Sequence, residues 1–154
     1  MLTGALIASG FYGDDGHQQR LDSGVGFDED LIVWRRSVPH GQNEQPLVEI
    51  YDELIRRGYG QGIVVLVIVR DIYATARSQV RTHSPRNMDE AYNSIAKAMR
   101  NVIGFLMTTS LPFHFITYES LLLHPQTLDK MLRTYGLRAG EFDYFDANLK
   151  WYRS

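Results

Sequence analysis

The stretch Ile63-Val64-Val65-Leu66-Val67-Ile68-Val69-Arg70-Asp71-Ile72-Tyr73-Ala74-Thr75-Ala76-Arg77-Ser78 decides the fold. Its first seven residues are apolar without alternation, and all but Leu66 are valine or isoleucine. A β-branched run of that kind predicts a strand buried on both faces, as in a parallel sheet covered by helices. Arg70 stands at its carboxyl end. Asp71 to Arg81 follows at once as a helix. In an open α/β sheet ligands bind outside the carboxyl ends of the strands. The N–H groups of a helix starting there favour an anion. Ser78 lies eight residues after Arg70, about two turns into the helix. A guanidinium fork and a hydroxyl in that relation could grip one phosphate. The same residues also admit a plainer reading, with Arg70-Asp71 a strand-end ion pair and Ser78 a solvated helix residue.

Outward from this centre, the other elements fall into an α/β order. Leu2–Ser9 reads as a short helix stopped by Gly10. Residues 13–30 are rich in Gly, Asp and Gln and read as a long loop. Pro46 to Arg57 is a helix with Leu47, Ile50, Leu54 and Ile55 as its apolar stripe and Gly58 as its stop. Ser84-Pro85 opens another, with Asn87 and Glu90 spaced as a capping box and Met88, Ala91, Ile95, Met99, Val102 and Leu106 as its stripe. Leu111 to Thr117 is a second strand, and Pro125 to Tyr135 a helix closed by Gly136. The tail from Glu141 is aromatic and polar, with a weak helical pattern. Strand, helix, helix, strand, helix predicts a single three-layer α/β domain spanning residues 1–154, with a mostly parallel sheet flanked by helices.

Composition narrows the function. The chain has 154 residues, 44% hydrophobic and 22% charged, with a net charge of −2. That charge argues against broad nucleic-acid binding, which needs surplus Lys and Arg. There is no cysteine, so disulfides, thiolate metal sites and a Cys nucleophile are excluded. The longest apolar run has 7 residues against the roughly 20 of a membrane span. The start lacks the basic residues and cleavage pattern of a signal peptide. A cytoplasmic protein with no membrane partner is expected. The five histidines, His17, His40, His83, His114 and His124, show no metal-ligand spacing, so no metal is expected. Gly58, Gly60 and Gly62 precede a strand rather than follow one, so they are not a phosphate loop.

The segment Val69-Arg70-Asp71-Ile72-Tyr73-Ala74-Thr75-Ala76-Arg77-Ser78 resembles the nucleotide-binding segment of sulfotransferases, in which an Arg-Asp-Pro-like turn follows a strand and a Ser lies eight residues beyond the Arg. Ile72 replaces the usual Pro. A second segment, Phe115-Ile116-Thr117-Tyr118-Glu119-Ser120-Leu121 with Pro125, Leu128, Leu132 and Tyr135-Gly136-Leu137, looks like the family's Tyr-Glu-Asp-Leu region. The resemblance covers about half the chain. It implies a P-loop-related fold and the cofactor 3′-phosphoadenosine 5′-phosphosulfate, with Arg70 and Ser78 on its 3′-phosphate. Arg153 stands where the family brings a late basic residue to the donor. The family's usual general-base His has no counterpart before Arg70, and His40 is the substitute by loop context. Met1–Phe11 is similar to the helix that follows the family's phosphosulfate-binding loop. The first strand and that loop are therefore expected to be missing.

The resemblance implies sulfuryl transfer to a hydroxyl or amine acceptor, on a small molecule or a glycan. Two other readings stay open. One is a non-catalytic scaffold or assembly protein derived from the fold, forming a homo-oligomer or using a partner chain to cover open sheet edges. The other is a nucleotide-kinase-like fragment.

Overall fold

A computed structural model describes residues 1–11, 31–34, 47–56, 58–59, 62–82 and 87–152. The predicted loop at 13–30, and His17, His40, His83, Ser84, Pro85 and Arg153, lie outside the described residues. The chain divides into two compact units, one of residues 1–37 and 119–146, the other of residues 38–118 and 147–154. It is an α/β protein. Along the chain run α1 (Leu2–Ala8), α2 (Leu47–Arg56), β1 (Val65–Val69), α3 (Ile72–Thr82), α4 (Met88–Thr108), β2 (Phe113–Thr117), α5 (Tyr118–Leu123), α6 (Gln126–Arg133) and α7 (Leu149–Tyr152). No helix among the described residues is long and apolar enough to cross a membrane.

In the second unit β1 and β2 pair in parallel, with Val65 opposite Phe113 and Val69 opposite Thr117. Parallel neighbours need a crossover, and α3 and α4, which pack on each other, form it. Asp71 starts α3: its carboxylate accepts from the Ala74 N–H at 2.7 Å. Thr75 donates back to the Asp71 carbonyl at 2.8 Å. Asn87 caps α4 by accepting from the Glu90 N–H at 2.8 Å, which is the first half of the expected capping box.

The apolar faces are shifted from expectation. On α4 the buried residues are Ala91, Ala98, Phe105 and Leu106, while Ile95, Met99 and Val102 fall short of burial. On α2, Ile55 is exposed and Tyr51 joins the stripe, meeting Phe105 of α4 edge-on at 5.9 Å.

The strand β1 departs further. It is not buried on both faces. Val65, Leu66, Val67 and Val69 are half-buried and Ile68 is 36% exposed. The apolar run signals a need for cover. Among the described residues the sheet has two strands, so β1 is bonded along one edge. On β2, Phe113 and Phe115 point to one face of the sheet. They are 46% and 48% exposed, with rings edge-on at 5.8 Å.

In the first unit Ala5 and Leu6 of α1 and Leu121, Leu128 and Leu132 of α5 and α6 are buried. Gly10 and Gly136 take positive φ, 93° and 74°, and end α1 and α6 as their positions in the sequence predict. The helix α5 is unanticipated. Its Leu121-Leu122-Leu123 run has no helical periodicity, and it starts directly after β2. Ser9 donates to the Ala5 carbonyl at 2.6 Å and accepts from the Gly140 N–H at 2.9 Å. Gly140 must be glycine, because a Cβ there meets the Ala8 carbonyl oxygen at 1.9 Å. Asp129 accepts from Arg133 at 2.6 Å and from the Ala139 N–H at 3.1 Å. These bonds, that to Arg133 first, hold its carboxyl below the ordinary value.

Two glycines give opposite predictions. Gly140→Ala forces the backbone apart and lowers unfolding free energy by about 1–3 kcal/mol. Gly104 lies inside α4, with open space where a methyl group would stand. Gly104→Ala therefore raises it by about 0.5–1 kcal/mol. Urea unfolding of the two variants beside the parent measures both. Asp129, with its lowered pKa, stabilises the fold above its unfolded pKa, and that contribution is lost as pH falls through the folded value. In Asp129→Asn the corresponding loss of stability on acidification is absent.

Candidate functional site

The parallel register brings the two singled-out segments side by side. Val69 faces Thr117, and Arg70 and Tyr118 are the residues that directly follow the two strands, at the carboxyl edge of the sheet. The Arg70 guanidinium lies over the Tyr118 ring, 5.2 Å from its centroid. Such a contact contributes about 0.5–1 kcal/mol when exposed and about 2 when desolvated.

The C-terminal segment closes on the same edge. Arg70 Nε donates to Asn148 Oδ1, and Arg70 Nη2 donates to the Ala147 carbonyl at 3.3 Å. The Ala147 N–H in turn donates to Tyr118 Oη at 2.5 Å. Asn148 is 3% exposed and Tyr118 is buried. A buried amide needs partners, and Asn148 finds one in a cation 78 positions away in sequence. Beyond it, α7 packs on α3. Tyr152 stacks on Tyr73 with centroids 6.3 Å apart and planes 11° from parallel. Arg77 donates to Tyr73 Oη at 2.9 Å and lies over that ring.

The geometry settles one alternative for Asp71. Its carboxylate caps α3, while the hydrogen bonds of Arg70 go to the oxygens of Asn148 and Ala147. Among the described residues no carboxylate pairs with Arg70. Its charge is met by two neutral oxygens and an aromatic face, and its fork has five N–H groups, two of them engaged.

Ser78 is half-buried in the second turn of α3, and its hydroxyl has no hydrogen-bond partner among the described residues. No hydrogen bond joins it to Arg70. Next to it, Gln79 is 8% exposed and its Oε1 is buried without a partner among the described residues. His40 and Arg153 lie outside the described residues. No group of metal-ligating side chains occurs among the described residues.

Spacing points to Arg70 and Ser78, and it misses Asn148, Tyr152 and Gln79. No local signal marks Asn148. An aromatic tail is the one hint of Tyr152 that the sequence offers. No family model, curated protein or solved structure matches the chain.

Asp71→Ala removes the cap of α3 and costs about 0.5–2 kcal/mol. Asp71→Asn, an equally good cap, keeps most of it. Chemical denaturation separates the two; equal losses in both variants would contradict the capping role.

Proposed function

We propose that this chain is a sulfotransferase-like protein that binds the 3′-phosphoadenosine moiety of 3′-phosphoadenosine 5′-phosphosulfate. The observation that carries the reading is that Arg70 and Tyr118 directly follow the paired ends Val69 and Thr117, at the carboxyl edge of a parallel sheet, where α/β proteins take their ligands. The three-layer, P-loop-related architecture is part of the same proposal. So is the residue set: Arg70 and Ser78 on the 3′-phosphate, Arg153 as a further cation, and His40 as the base.

The residues suit the group. Arg70 has N–H donors and positive charge to give, without a carboxylate partner among the described residues. The donor, when bound, supplies an activated sulfuryl group. Transfer breaks the S–O bond to the 5′-phosphate and forms a bond from sulfur to the acceptor's oxygen or nitrogen. Adenosine 3′,5′-bisphosphate leaves and the acceptor gives up a proton. The protein's share is positioning and charge stabilisation, as in phosphoryl transfer.

A second reading draws on a different observation. Arg70 already holds the chain's own tail, and Phe113 and Phe115 leave one sheet face open. Both suit a non-catalytic scaffold or assembly protein that covers this face with another copy. Light scattering distinguishes them: a monomer that turns over the donor refutes the scaffold.

Calorimetric titration with adenosine 3′,5′-bisphosphate tests the main reading. Binding is expected, weakened about 10- to 100-fold in Arg70→Ala, the range of a hydrogen bond to a charged group. ATP, as the ligand of a nucleotide kinase, is expected to bind more weakly. No binding, or binding unchanged in Arg70→Ala, refutes the proposal.

A further inference from the structure

Arg70 Nε and Nη2 are the two nitrogens along one edge of the guanidinium, the edge that grips a carboxylate or phosphate through two parallel N–H···O bonds. In this chain both positions on that edge are filled by oxygens of the C-terminal segment, Asn148 Oδ1 and the Ala147 carbonyl. We propose that residues Ala147–Tyr152 are an intramolecular plug, whose two oxygens stand in for those of a phosphate and leave the Arg70 fork when the anion binds. The plug rests on the reading of Arg70 as the anion-holding residue.

Three features make the plug specific and reversible. Its acceptors are neutral, so they satisfy the N–H groups without cancelling the charge. A phosphate at the same edge adds the Coulomb attraction between its charge and the guanidinium, which neutral oxygens lack, so it outcompetes them. The plug is also fastened away from the fork, by the Ala147 N–H on Tyr118 Oη and by the Tyr73–Tyr152 stack. Those contacts set how much of the anion's affinity goes into opening. Linkage then requires that whatever raises the population with the tail released strengthens anion binding in proportion.

The test uses the full chain and adenosine 3′,5′-bisphosphate as the probe. Asn148→Ala removes one of the two oxygens, and calorimetry is expected to show binding about 3- to 10-fold tighter than the parent's, the range of one hydrogen bond. Tyr118→Phe keeps the ring beneath Arg70, frees the Ala147 N–H, and is expected to shift affinity in the same direction. Hydrogen exchange needs no variant: the Ala147 amide of the parent is expected to exchange faster when the bisphosphate is bound. If binding depends on Arg70 but neither variant tightens it and Ala147 stays equally protected, the plug is refuted while the anion reading stands. If no protein binds the bisphosphate, or Arg70→Ala binds it as the parent does, both fall.

Discussion

The parallel pairing of β1 with β2 is the constraint on which the site depends. The register of Val69 on Thr117 leaves Arg70 and Tyr118 as adjacent continuations of the two strands. A parallel pair emits both chains from the same end, so a cation and a phenol separated by 48 positions in sequence meet at one edge. An antiparallel pairing would send them to opposite ends. The crossover through α3 and α4 makes the parallel arrangement possible. The Asp71 and Asn87 caps fix where those helices begin.

At that edge the energetics turn on a half-buried guanidinium. An Arg removed from water needs acceptors for its N–H groups. Ala147 and Asn148 supply two oxygens and Tyr118 an aromatic face, as one connected network in which the tyrosine holds the tail and the tail holds the arginine. No member carries a negative charge. The network therefore engages two N–H groups of Arg70 through neutral oxygens and leaves its charge without an opposite partner among the described residues. Phe113 and Phe115, half-exposed on one face of the sheet, are the apolar counterpart in the same unit.

What the sequence discloses follows from the range of each signal. Helix starts and stops are local, so Asn87, Gly10, Gly58 and Gly136 are legible from their neighbours. The strand β1 is legible because a β-branched run has few other uses. Burial of β1 is not, because a run of valines records how apolar the strand is and not what lies over it. The helix α5 escapes notice because three successive leucines carry no period. At the site, Arg70 stands out by its place at a strand end. Asn148 does not, because its role comes from a contact across the whole second half of the chain. Gly140 is silent for the same reason: what it avoids is the carbonyl of Ala8.

Phosphorus NMR of adenosine 3′,5′-bisphosphate tests most directly whether Arg70 is an anion-holding residue. The 3′-phosphate resonance is expected to move on adding the protein, and the movement to vanish with Arg70→Ala while the variant's fold is retained. A 3′-phosphate resonance that stays put, or that moves equally with the folded variant, contradicts an anion-holding Arg70.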